Sequence, residues 1–141
     1  MNIQLGILFL EQNEIEKSLG YLKTAKQLYE ENNFIKHYTI LVYPFIAEAY
    51  LAEYAEKRES MSKAERKASL KAIKKSCAEA MRKTRSWATY HGISKRTAAK
   101  YHAETGKDTK AERLFLVLYS ARFQHCRSFT ISLKRQQRAW I

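Results

Sequence analysis

Chain breakers are nearly missing from this sequence: one proline, Pro44, and four isolated glycines stand in 141 residues. So few breakers exclude an architecture of short strands and tight turns and leave long helices. Cysteine is equally sparse. Cys77 and Cys126 lie 49 positions apart, which is neither a metal spacing nor a disulfide framework. Both are read as buried or half-buried thiols in a reducing compartment. The apolar patch Ile7-Leu8-Phe9-Leu10 is too short to span a bilayer and follows no basic residue, so it is not a signal peptide. A soluble, cytoplasmic chain with no membrane partner is expected.

The signatures of common chemistry are missing as well. Gly6, Gly20, Gly92 and Gly106 are too scattered for a phosphate-cradling loop, and no serine elbow exists. His37, His91, His102 and His125 include no pair four apart beside a glutamate, as a zinc site would need. They read as surface or seam histidines. A nucleophilic Cys77 or Cys126 would need a base that the sequence does not place. The chain is accordingly read as non-enzymatic, with no cofactor and no metal.

What is present favours helix. Ala, Leu, Lys, Glu and Arg dominate, and nine tyrosines suit half-wet seams between helices. The length fits a single domain, residues 1–141, with one continuous core. The formal charge of +12 is unevenly placed. Met1–Glu56 carries four basic and eight acidic residues, Lys57–Arg113 seventeen and six, and Leu114–Ile141 five and none. Such a field attracts polyanions or acidic protein surfaces.

Five or six helices follow from the apolar spacing, with a closing helical piece at 128–140. The first covers about Asn2–Glu11 and ends at a Gln12-Asn13 turn, where Asn tolerates left-handed backbone. The second runs from about Glu14 to Asn32, with Ile15, Leu19, Leu22 and Ala25 on one face. The third, about Phe34–Lys57, contains Pro44 and must kink or restart there. Ser62 and Glu65 form a capping-box pair ahead of a fourth helix, about Lys63–Arg85. Its stripe is Leu70, Ile73, Cys77, Ala80 and Met81. Lys67, Lys71, Lys75 and Arg82 lie roughly opposite and read as a solvated outer face. The fifth helix lies near Ser94–Thr105, Gly106 breaks the chain, and the sixth runs from about Thr109 to Cys126.

The first two helices resemble a tetratricopeptide repeat, whose 34-residue unit is a helix pair held by a few packing positions. Leu5-Gly6 stands at its Leu-Gly pair and Phe9 at its first aromatic position. Asn13 replaces the turn glycine and Ile15 the second aromatic residue. Ser18 takes the small-residue position, and Leu22 and Ala25 the last two. A second match places Gly106 at the turn, Ala111 at the small position and Phe115 at the ring, with Ala98-Ala99 and Tyr101 in the preceding helix. The longer middle segment has no Leu-Gly pair and resembles the irregular helical repeats of large bacterial signalling proteins. The resemblance implies an all-α fold: an antiparallel helix-hairpin solenoid of about three irregular units, about 1–33, 34–86 and 87–126. Neither end looks like a polar cap. That predicts a piece of a larger protein, or self-association through the uncapped ends.

In such repeats the first helix of each unit lines a concave groove. Counted from Gly106, the groove-facing positions are Ile93, Arg96, Lys100 and Ala103. In the first unit they are Ile3, Ile7, Leu10 and Glu11. Arg96 and Lys100, four apart, share a face and would anchor carboxylates. The implied function is a protein-protein interaction scaffold that holds an acidic or amphipathic peptide segment. The rival is nucleic-acid binding, through the basic fourth helix or through a helix-turn-helix DNA reader over Trp87–Tyr101, with a turn at Gly92, Ser94 as cap, and Thr97 and Tyr101 on the second helix. Against the latter, the residue before the turn glycine is His91 where an apolar one belongs, and Ala98 stands where a branched aliphatic should be buried.

Overall fold

A computed structural model describes residues 1–32 and 39–118, and every regular element among them is helical. The order is α1 (Asn2–Glu11), α2 (Ile15–Glu31), a 3₁₀ turn (Thr39–Leu41), α3 (Val42–Lys57), α4 (Lys63–Lys83) and α5 (Ala88–Glu104). Residues 108–118 are also helical and are called α6. The closing piece at 128–140, His37, His125 and Cys126 lie outside the described residues.

The punctuation follows local chemistry. Asn13 takes φ +61° between α1 and α2, and Gly106 takes φ +68° between α5 and α6, the left-handed region that Asn and Gly enter most readily. Pro44 falls in the first turn of α3, where an amide hydrogen would lack an intrahelical partner anyway. The described helix therefore begins at Val42, just after the 3₁₀ turn, with no kink at the proline; the expected stretch 34–38 lies outside the described residues. Ser62 caps α4 reciprocally: Glu65 N donates to Ser62 Oγ at 3.3 Å and Ser62 N donates to Glu65 Oε2 at 2.7 Å.

α1 and α2 pack closest where Gly6 meets Leu22. A methyl group at Gly6 would lie 2.6 Å from Leu22 Cγ, and Leu22 is fully buried. The Ser18 hydroxyl, also fully buried, donates to the Gly6 carbonyl at 2.7 Å. α3 is buried on two sides. Val42, Tyr43, Ile46 and Ala49 join the core made by Ile3, Ile15, Leu19 and Leu22. Ala47, Leu51 and Tyr54 join a second core with Ile73 and Cys77 of α4 and Ala98 and Tyr101 of α5.

The α4–α5 junction is polar inside. Thr84, fully buried, donates to the Ala80 carbonyl at 2.7 Å, and its Oγ1 lies 2.9 Å from Ser94 Oγ and 3.3 Å from His91 Nδ1. The expected turn at Gly92 is not formed, and α5 runs unbroken from Ala88. An interior glycine costs a helix only about 1 kcal/mol, and the buried run that follows it, Ser94, Thr97, Ala98, Ala99 and Tyr101, holds the helix. Leu118 of α6 approaches Gly92, within 3.7 Å of where a Cβ would sit.

Gly6→Ala is expected to destabilise the fold by about 1–3 kcal/mol, because the fully buried Leu22 has nowhere to move. Gly20→Ala points into open space and should stabilise by up to about 1 kcal/mol. Urea denaturation of both variants tests the contrast; equal effects would remove the close approach as a constraint.

Candidate partner-binding groove

The first, third and fifth helices share one concave surface. A cavity of about 570 Å³ opens between them. α1 contributes Ile7, Leu10 and Glu11; α3 contributes Phe45, Glu48, Leu51, Ala52 and Ala55. α5 adds Arg96, Lys100, Ala103 and Glu104, and Phe115 of α6 closes one end. Three of the four residues expected in the third unit, Arg96, Lys100 and Ala103, are thus brought together. Ile93 is not: it is half-buried outside the lining. From the first-unit set Ile7, Leu10 and Glu11 line the cavity, whereas Ile3 is in the core.

The α3 residues went unseen in the sequence. Without a Leu-Gly pair, no register could be carried onto the middle segment. The signal was there: Phe45, Glu48, Ala52 and Ala55 repeat at spacings of three and four, one face of a helix. A glutamate amid apolar neighbours was its marker.

Glu48 sets the electrostatics. Lys100 Nζ lies 2.7 Å from its Oε1 and Arg96 Nη2 lies 3.2 Å from its Oε2. The Glu48 side chain is 16% exposed and the two cations 48% each. At that exposure each pair contributes at most about 1 kcal/mol. The cations expected to await a ligand carboxylate therefore already hold one from α3. Glu104 is paired in turn with Arg58 at 3.3 Å. With Glu11, Glu48 and Glu104 facing Arg96 and Lys100, the lining carries no cationic excess, and its floor is apolar.

The Trp87–Tyr101 element does not form the expected helix-turn-helix. It is essentially one helix, and Ser94, Thr97, Ala98, Ala99 and Tyr101 are buried in it. Ser94 caps nothing; its Oγ lies 2.9 Å from Thr84 Oγ1, to which it donates because the Thr84 proton goes to Ala80, and 3.2 Å from the Tyr90 carbonyl. Continuity through Gly92 places His91 and His102 on the same helix. His102 Nδ1 is shielded from solvent with no hydrogen-bond partner among the described residues. Burial lowers the pKa of His91, helped by Lys95 and Arg85. Burial lowers that of His102, helped by Lys107, Lys110 and Lys74. Burial also pushes the Cys77 thiol up to about 11. Among the described residues no group of three His, Cys, Asp or Glu side chains is arranged to hold a metal ion. No helix there is long and apolar enough to cross a membrane. Set against known proteins, the chain matches no family model, no curated sequence and no solved structure.

Two tests follow. Because the native state disfavours protonation of both histidines, stability should be full above the ordinary imidazole value of about 6.5 and fall as the pH drops below it. His91→Gln with His102→Gln should flatten that fall; urea midpoints between pH 7.5 and pH 5 that are unchanged by the double substitution would refute the assignment. Cys77, read in a Cys126→Ser background, should resist a thiol-disulfide reagent at pH 8 until denaturant is added. Rapid reaction in the folded protein would show it is not shielded.

Proposed function

We propose that the chain is a tetratricopeptide-type helical-repeat scaffold that holds an amphipathic segment of a partner protein in its concave groove. The observation that carries this reading is the cavity lined by alternate helices α1, α3 and α5. Neighbour-to-neighbour packing supports it: α1 pairs with α2, α3 with α4, and α4 with α5. So do the Gly6–Leu22 approach and the small buried pair Ala98-Ala99. Together these are what an irregular hairpin solenoid needs.

The groove chemistry narrows the partner. An apolar floor of Ile7, Leu10, Phe45 and Leu51 with charged residues at its edges suits a helix that lays down one apolar face. A strongly acidic peptide would have to displace Glu48 from Arg96 and Lys100, and it would face Glu11 as well. The amphipathic half of the expectation is therefore favoured over the acidic half.

A random-peptide display selection tests the reading. The selected peptides should place apolar residues at i, i+3, i+4 and i+7. Ala55→Trp and Ala103→Trp, both at exposed positions lining the cavity, should fill the groove. Each should weaken the selected peptides at least about tenfold, or about 1.4 kcal/mol, without lowering the melting temperature. Peptides that bind both variants as well as the parent would place the partner surface elsewhere.

A further inference from the structure

The cations around the groove are paired: Arg58 with Glu104, and Arg96 and Lys100 with Glu48; Lys57 pairs with Glu16 and Glu53. A continuous set on the outer face of α4 is not. Lys67, Lys71, Lys74, Lys75 and Arg82 are exposed and pair with no carboxylate among the described residues. At 100° per residue they fall within a sector of roughly 100°, and at 1.5 Å per residue they span about 22 Å of the helix. Only the small Ala64 and Ala78 share that sector. The opposite face of α4, with Ile73, Cys77 and Ala80, is buried in the core.

We propose that this ridge binds the phosphate backbone of a nucleic-acid duplex without reading its sequence. A surface designed only for solubility would intersperse the two signs. Five unpaired cations over about 22 Å instead face a polyanion that carries about thirteen charges over the same length, one per about 1.7 Å of duplex axis. Four of the five are lysines, which bind phosphate as flexible point charges and carry no fixed fork with which to read a base. The sector has no aromatic side chain on which single-stranded bases could stack. It also has no large apolar group to enter a lipid headgroup layer. The site lies on the helix face turned away from the core and is independent of the groove.

Fluorescence anisotropy with two unrelated 24-base-pair DNA duplexes tests the proposal. Both should bind within about twofold of each other. Five phosphate contacts give a salt slope of at least about −4.5, equal to about a 500-fold loss between 50 and 200 mM salt. Lys67→Gln, Lys71→Gln and Lys74→Gln together should reduce the slope's magnitude by about 2.7. Lys17, which pairs with Glu14, Lys57 and Arg58 occupy paired positions; Lys17→Gln, Lys57→Gln and Arg58→Gln remove the same charge and should leave the slope nearly unchanged. Circular dichroism would check that both triple variants remain helical. Equal losses in the two triple variants, a parental slope weaker than about −2, or tighter binding to polyglutamate or phosphatidylserine vesicles than to duplex would each overturn it.

Discussion

The two-sided burial of α3 is the constraint on which the rest of the structure depends. Few sectors of that helix are polar, so it cannot lie at a surface as an ordinary amphipathic helix does. It must be enclosed: Val42, Tyr43 and Ile46 against α1 and α2, Ala47, Leu51 and Tyr54 against α4 and α5. Enclosure leaves Phe45, Glu48, Ala52 and Ala55 partly uncovered on one side, where they line the groove, and Tyr50, Glu53 and Lys57 on another. The same apolar content that stabilises the core thus dictates where the concave surface runs and gives it an apolar character.

Charge is then distributed around that frame in two ways. Inside the groove, Glu48 neutralises the two cations that α5 contributes. Removing the carboxylate from α3 would leave two half-exposed positive groups side by side. On the outer face of α4 no such neutralisation occurs among the described residues. A net charge of +12 therefore understates the contrast between the two surfaces: one is nearly balanced, the other wholly cationic.

Features governed by a few neighbouring residues were legible in the sequence. The Asn13 turn, the Gly106 turn, the break in regular helix beside Pro44 and the Ser62–Glu65 box each depend on backbone preferences acting within one turn. Gly92 was misread because an isolated glycine has the same local appearance in a turn and in a helix. Only the burial of Ser94, Thr97 and Ala98 decides between them, and burial is set by α3 and α4. The groove was legible on α1 and α5, where Gly6 and Gly106 fixed the register, and illegible on α3, where no such anchor exists. The pairing of Glu48 with residues 48 and 52 positions away leaves no trace in spacing.

The hydroxyl cluster behind α5 has a bearing on the groove in front of it. Apolar contacts between helices are non-directional and permit sliding, whereas hydrogen bonds fix both distance and direction. Thr84 and Ser94 fasten the near end of α5 to the end of α4 through oxygen atoms, on the side away from the cavity. The wall that carries Arg96 and Lys100 is thereby pinned from its rear like a hinged door with a fixed stop, and the aperture offered to a guest is fixed at the back of the helix.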